Sequence, residues 1–268
     1  MRKKFLLLLA LLFLLAGVIF VLPAVRDHAP DQTKESATEE TESETPTETE
    51  TESETETEET TEEETEGPGD PVDREKVETH LIIASDTHYM SPSMTDYGAA
   101  FDSLVNSNDG KVIRYQPQLW QAFKSEVLAA NPDALILSGD LSLNGEKANH
   151  LEFSEKLREI EEAGVPVYVI PGNHDINKPD AGEYFGDQRT DVESVTSEEF
   201  REIYADFGYN EAKSGAPDSL SYLVELNDTT WLMMLDTTVC EPENEVYGEI
   251  KEGTLEWMEE CLKEAYAE

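Results

Sequence analysis

In the second half of the chain, short apolar runs alternate with stretches of helical spacing. His80 to Ser85 (HLIIAS) is an apolar run of strand type. From Gln116 to Ala130, Leu119, Trp120, Phe123, Val127 and Leu128 fall on one helical face, and Asn131-Pro132 stops the helix. Ala134 to Ser138 (ALILS) is a second strand. Lys147 to Ala163 is a second helix, with Leu151, Phe153, Leu157 and Ile160 as its apolar positions. Val165 to Ile170 is a third strand. Strand, helix, strand, helix, strand is the order of an α/β domain with a parallel sheet, and unbroken apolar strands suit a sheet covered on both faces.

Beyond Asp175 the pattern changes. Ser197 to Ala205 has helical spacing. Ser219 to Leu226 and Thr229 to Leu235 read as neighbouring strands joined at Asn227-Asp228, which implies a second sheet or antiparallel strands added to the first. Thr254 to Ala267 is a last helix. Tyr89 to Asn108, rich in Ser, Met and Asp, reads as a long loop at the carboxyl end of the first strand. Trp120, Trp231 and Trp257 fall on apolar faces and read as core.

The first quarter of the chain follows neither period. Arg2, Lys3 and Lys4 precede an apolar run from Phe5 to Leu22. A signal h-region runs to about 7–15 residues, whereas a membrane-spanning helix needs roughly 17–25. The run falls in the second range and is read as an uncleaved anchor. Cleavage after Leu22-Pro23-Ala24 is the alternative. The basic residues stay in the cytoplasm, so the rest of the chain lies outside: a single-pass membrane protein, or a secreted one if the leader is cut. The resulting division is anchor 1–25, stalk 26–76 and folded domain 77–268.

Charge supports that division. The formal net charge is -41, and 16 glutamates fall between Glu35 and Glu66, interleaved with threonine and without lysine or arginine. Such a tract repels itself and has no apolar surface to bury, so it is expected to be an extended, disordered stalk. The remainder is also acidic, which argues against nucleic acid as a partner. Cys240 and Cys261 are too few for a disulfide framework. One bridge between them is allowed outside the cytoplasm, and two ordinary thiols are the simpler reading.

The chemistry-bearing residues stand at the ends of the three parallel strands. Asp86-Thr87-His88 follows the first, Gly139-Asp140 the second, and Gly172-Asn173-His174-Asp175 the third. Ligands of open α/β sheets bind at the carboxyl ends of strands, so all three clusters would meet on one rim. Carboxylate, imidazole and amide oxygen together favour two divalent ions of the manganese, iron or zinc type over calcium. Two such ions can clamp a phosphate and activate water. Each cluster alone is a weak signal. Their order and placement together make it strong.

On the stretches SDTH, LSGDLSLNGE and VIPGNHD, from about Thr79 to Asp175, the chain resembles the calcineurin-like metallophosphoesterases. The resemblance implies two packed β-sheets flanked by helices, and two divalent metal ions. It implies Asp86 and His88 on the first metal, Asp140 bridging both, Asn173 on the second, and His174 near the phosphate as general acid or charge stabiliser. The substrate would be a small phosphomonoester or phosphodiester, and the NGE after GDLS resembles members similar to cyclic nucleotide phosphodiesterases. Where the family has an aspartate that orients the GNH histidine, this chain has Leu143, followed by Asn144. Asn144 or Asp175 is a candidate substitute. The family also supplies further histidine ligands, yet no histidine follows His174. On this reading the last strands and ligands are missing and the chain alone is expected to be poorly active. The competing reading is a non-enzymatic cell-surface module with a degenerate metal site. His150 reads as a solvated or capping histidine, Asp236 as a turn residue or one supporting a ligand from behind, and Tyr89 and Met90 as pocket-lining or loop-packing residues.

Overall fold

The computed structural model describes residues 77–107, 110–241 and 244–267. The expected anchor at 1–25 and stalk at 26–76 lie outside the described residues. Among the described residues, no helix is long and apolar enough to cross a membrane.

Strands β1 (Leu81–Ala84), β2 (Ala134–Ser138) and β3 (Val167–Ile170) form a parallel sheet in that order. Helix α2 (Gln116–Ala130) joins β1 to β2, and α3 (Lys147–Glu161) joins β2 to β3. The first four residues of β2 and all of β3 are buried, as their unbroken apolar sequences require. Pro117 opens α2 in the first turn. Asn131 closes it in the left-handed conformation (φ 45°), its amide donating to the Val127 carbonyl at 3.0 Å. Trp120 and Val127 are buried on α2, and Phe153, Leu157 and Ile160 on α3. Leu119 and Leu151, assigned to the same faces from spacing, are instead about half exposed (48 % and 50 %). Each sits at the margin of its apolar stripe, beside the residue that does the packing: Trp120 one position from Leu119, Phe153 two from Leu151.

The second sheet is antiparallel: β6 (Ser214–Gly215), β7 (Tyr222–Asn227) and β8 (Thr230–Met234), with the expected hairpin between β7 and β8. It packs on the first through a shared core that includes Leu135, Val167, Tyr222, Val224 and Met234. The Tyr222 hydroxyl donates to the Val169 carbonyl at 2.8 Å, tying β7 to β3. The kinked turn Ala205–Tyr209 lets Tyr222 through at Gly208 (φ 110°), where a Cβ would lie 2.7 Å from the tyrosine ring. Helices α4 (Ser197–Ile203), which carries a capping box of Thr196 and Glu199, and α5 (Glu252–Ala267) complete the fold. Mixed α/β architecture with parallel and antiparallel sheets flanked by helices is the class expected.

Two segments differ from the sequence reading. Tyr89 to Asn108 is not simply a loop: it holds a 3₁₀ turn at Pro92–Met94 and helix α1 (Ala99–Ser107). The helix forms because Ala100 and Phe101 bury against Met90, Met94, Ile113, Leu143 and Tyr184. Tyr184 belongs to a hairpin missed in sequence, β4 (Gly182–Phe185) and β5 (Gln188–Asp191). Every residue of β5 is exposed, so it shows no alternation to read. Cys240 and Cys261 are buried free thiols, beside Ser197 and Ser214 respectively.

Candidate metal centre

The first two strand ends are zipped together beyond the sheet. The Asp86 amide donates to Gly139 O (3.1 Å), His88 N to Asp140 O (2.9 Å) and Tyr89 N to Leu141 O (2.8 Å), while Leu143 N donates back to Tyr89 O (3.1 Å). Three side chains meet on this ladder: ligand atoms of Asp86, His88 and Asp140 all lie within 4.8 Å of one another. His88 Nε2 is 3.6 Å from Asp86 Oδ1 and 3.8 Å from Asp140 Oδ2. Atoms bound to one ion at about 2.0–2.2 Å stand roughly 3–4 Å apart, and the two separations from His88 Nε2 fall in that range. All three residues hold left-handed backbone (φ 56°, 40° and 53°), rare for side-chain-bearing residues and a mark of functional sites. Buried His88 Nδ1 finds no hydrogen-bond partner among the described residues, which leaves Nε2 as the nitrogen facing the carboxylates.

The third strand end closes against the second. Asp140 Oδ1 accepts from the His174 amide at 2.9 Å. Fully buried Asp175 holds both loops: Oδ2 accepts from Gly172 N (2.8 Å) and Leu141 N (3.1 Å), and Oδ1 from Ser142 N (2.8 Å). Asn173 is half-buried in the same turn, its carbonyl accepting from Asn244 Nδ2 at 3.0 Å. His174 stands edge-to-face with His88, ring centroids 4.9 Å apart. Its Nδ1 is 2.8 Å from Asn144 Oδ1 and 3.0 Å from Leu143 O, and its Nε2 is 3.3 Å from Lys111 Nζ.

Electrostatics follow from these neighbours. The His88 imidazole, with the Ser85 hydroxyl and the Lys111 charge, holds the Asp86 carboxyl down at about 2 despite partial burial. Burial, reinforced by the Asp140 charge, pushes Asp175 up to about 6 against the amides that favour its anion. Burial lowers the His174 pKa, and the charges of Lys111, His88 and Lys178 act in the same direction against Asp140.

The remaining sequence candidates fall elsewhere. His150 is neither solvated nor a cap. It is wholly buried, with Nδ1 2.9 Å from the Tyr204 hydroxyl and Nε2 3.0 Å from Asp175 O, and burial lowers it to about 4. Asp236 serves a turn, accepting from Thr238 N (2.8 Å) and Leu220 N (3.0 Å). Tyr89 packs on Phe153 and donates to Glu152 (2.6 Å), and Met90 joins the α1 cluster. Lys111 and Asn244 carry no motif, and each lies near the site in space and far from it in sequence; Glu146 ends the NGE stretch, but its role as a buried anchor is not visible there. An open cavity of about 650 Å³ adjoins Asp86 and His88, with Lys111 on its lining and a wall of Leu119, Trp120 and Phe123.

None of the curated proteins compared with the chain matches it. The model of the calcineurin-like phosphoesterase family matches residues 79–265. The chain therefore belongs to that family, and membership implies metal-dependent hydrolysis of phosphoesters.

Proposed function

We propose that this calcineurin-like phosphoesterase hydrolyses a small phosphomonoester or phosphodiester outside the membrane, tethered by its N-terminal apolar run. Asp86 and His88 would hold one divalent ion, Asn173 a second, and Asp140 both. Such ions, of the manganese, iron or zinc type, supply positive charge to the phosphoryl oxygens and lower the pKa of water. The backbone of the three loops fixes where the ligand atoms stand. Asp175 keeps two of those loops in contact, and His174, edge-to-face with His88 and with Nε2 3.3 Å from Lys111 Nζ, would help balance charge on the phosphoryl group. The cavity beside Asp86 gives the alcohol part of the substrate an apolar wall. The location rests on Arg2, Lys3 and Lys4 preceding the apolar run.

The observation that carries this reading is the convergence of Asp86, His88 and Asp140 from two neighbouring strand ends, all three in strained backbone. The test is manganese uptake by the purified chain, with hydrolysis of nitrophenyl mono- and diesters, beside Asp140→Asn. Uptake should fall at least tenfold in the variant, and whatever hydrolysis the parent shows should fall with it. Equal background rates and no uptake in either protein would favour a non-catalytic surface module.

A further inference from the structure

Asn144 stands where a carboxylate would be expected to steer His174. Leu143 cannot do so, because its side chain is fully buried among Met90, Phe101 and Tyr184 and only its carbonyl faces the imidazole. Two oxygens face His174 Nδ1, the Asn144 amide oxygen at 2.8 Å and the Leu143 carbonyl at 3.0 Å; both can only accept, so Nδ1 carries the hydrogen and the side-chain amide is its nearer partner. The Nε2 lone pair is thereby turned to the Lys111 ammonium, 3.3 Å away.

Asn144 is itself held. Glu146 is completely buried, and every hydrogen bond to its carboxyl group comes from a nitrogen donor: Asn144 N (2.8 Å) and Asn149 Nδ2 (2.7 Å) on Oε2, and Gly182 N (3.5 Å) on Oε1. Asn149 in turn accepts from Ser91 N at 2.8 Å. A buried carboxyl group satisfied by three nitrogen donors is costly to move, and one of those donors is the Asn144 amide, which it holds in place.

We propose that Asn144, anchored by Glu146, is the positioning residue for His174. It fixes the Nδ1–H tautomer and the aim of Nε2 by a neutral amide and not by a carboxylate. A neutral partner gives direction without adding charge, so Lys111, His88 and the carboxylates set the charge around the ring. The role of His174 in hydrolysis rests on the function proposed above; the tautomer does not.

The tautomer can be read in the metal-free, substrate-free protein by long-range proton–nitrogen correlation spectra. With five histidines in the chain, His174→Gln assigns the signal. The full chain should show His174 protonated at Nδ1. Asn144→Leu should populate the Nε2–H form, and Asn144→Asp should restore Nδ1–H. Should Asn144→Leu fail to fold by circular dichroism, Asn144→Ala gives the same reading at a half-buried position. An unchanged tautomer in a folded Asn144→Leu or Asn144→Ala protein overturns the proposal, since the Leu143 carbonyl alone would then suffice. In the hydrolysis assay kcat should drop roughly tenfold or more in Asn144→Leu, with KM little changed and with recovery in Asn144→Asp. Loss of the tautomer without any hydrolysis in the full chain would leave the positioning role standing and count against the phosphoesterase reading alone.

Discussion

Gly172 lies against Asp140 with no space between them for a methyl group. A Cβ on Gly172 would fall on the Asp140 amide nitrogen and its Oδ1, and a Cβ on Gly139 would lie 2.8 Å from the Gly172 Cα. The obstacle in both cases includes backbone, which cannot rotate aside. Gly172→Ala should therefore push the second and third strand-end loops apart. The expected cost is about 1–3 kcal/mol in urea denaturation, with manganese affinity down at least tenfold by titration calorimetry. Unchanged affinity would mean that the close approach does not place Asp140.

Asp175 holds the same two loops by charge where Gly172 does so by shape. Its two oxygens accept from Gly172 N, Leu141 N and Ser142 N, and the Ser142 hydroxyl adds a fourth bond at 3.1 Å. In Asp175→Asn one oxygen becomes an NH₂ group that faces donors and cannot accept. A loss of about 1–3 kcal/mol is expected from the unsatisfied amides. The check is the chemical denaturation midpoint in the metal-free protein. An unaltered midpoint would show that water takes over the freed donors.

His150 gives stability a pH dependence with a definite sign. Its pKa is lowered from 6.5 to about 4 by burial, so the folded protein binds fewer protons than the unfolded chain between those values. The contribution is fully present above 6.5 and is lost as pH falls towards 4. It amounts to at most about 3 kcal/mol. The melting temperature of the native chain should fall across this window more steeply than that of His150→Gln. Parallel curves for the two proteins would show that the ring charges without unfolding its surroundings.

Much of this arrangement is legible in sequence, for identifiable reasons. β2 and α2 could be read to the residue, because ALIL is an unbroken buried apolar run and the Asn131-Pro132 stop coincides with a left-handed C-cap. The meeting of Asp86, His88 and Asp140 could be read because each follows a parallel strand by a short turn. Helix α1 could not: its burial rests on Phe101 meeting Tyr184, over 80 positions away, and local composition says nothing of that partner. Hairpin β4–β5 escaped because β5 is wholly exposed. His150 was misread for the same kind of reason, since its two partners, Tyr204 and Asp175, come from later segments. Glu146 shows the limit most clearly. In sequence it only ends the NGE stretch; its complete burial, with donors from Asn144, Asn149 and the distant Gly182, is what sets it apart.

Leu143 allows one more test, because the family resemblance puts an aspartate there. If that position alone determined how His174 is aimed, Leu143→Asp would bring the chain closer to the family and tighten the site. The structure argues the opposite. The Leu143 side chain is fully buried in the apolar cluster under α1, with Met90, Met94, Phe101, Ile113 and Tyr184, and points away from the imidazole that its own carbonyl meets. A carboxylate there would lack a cation or donor in that cluster and would have to neutralise or force the cluster open. Leu143→Asp should cost about 3 kcal/mol or more at pH 7 in urea denaturation, and the loss should shrink as acid protonates the new group. Leu143→Met, which keeps volume and polarity, should cost less than about 1.5 kcal/mol. If the aspartate variant matches the parent in stability, the loop can turn its side chain towards His174, and Leu143 is not committed to the core.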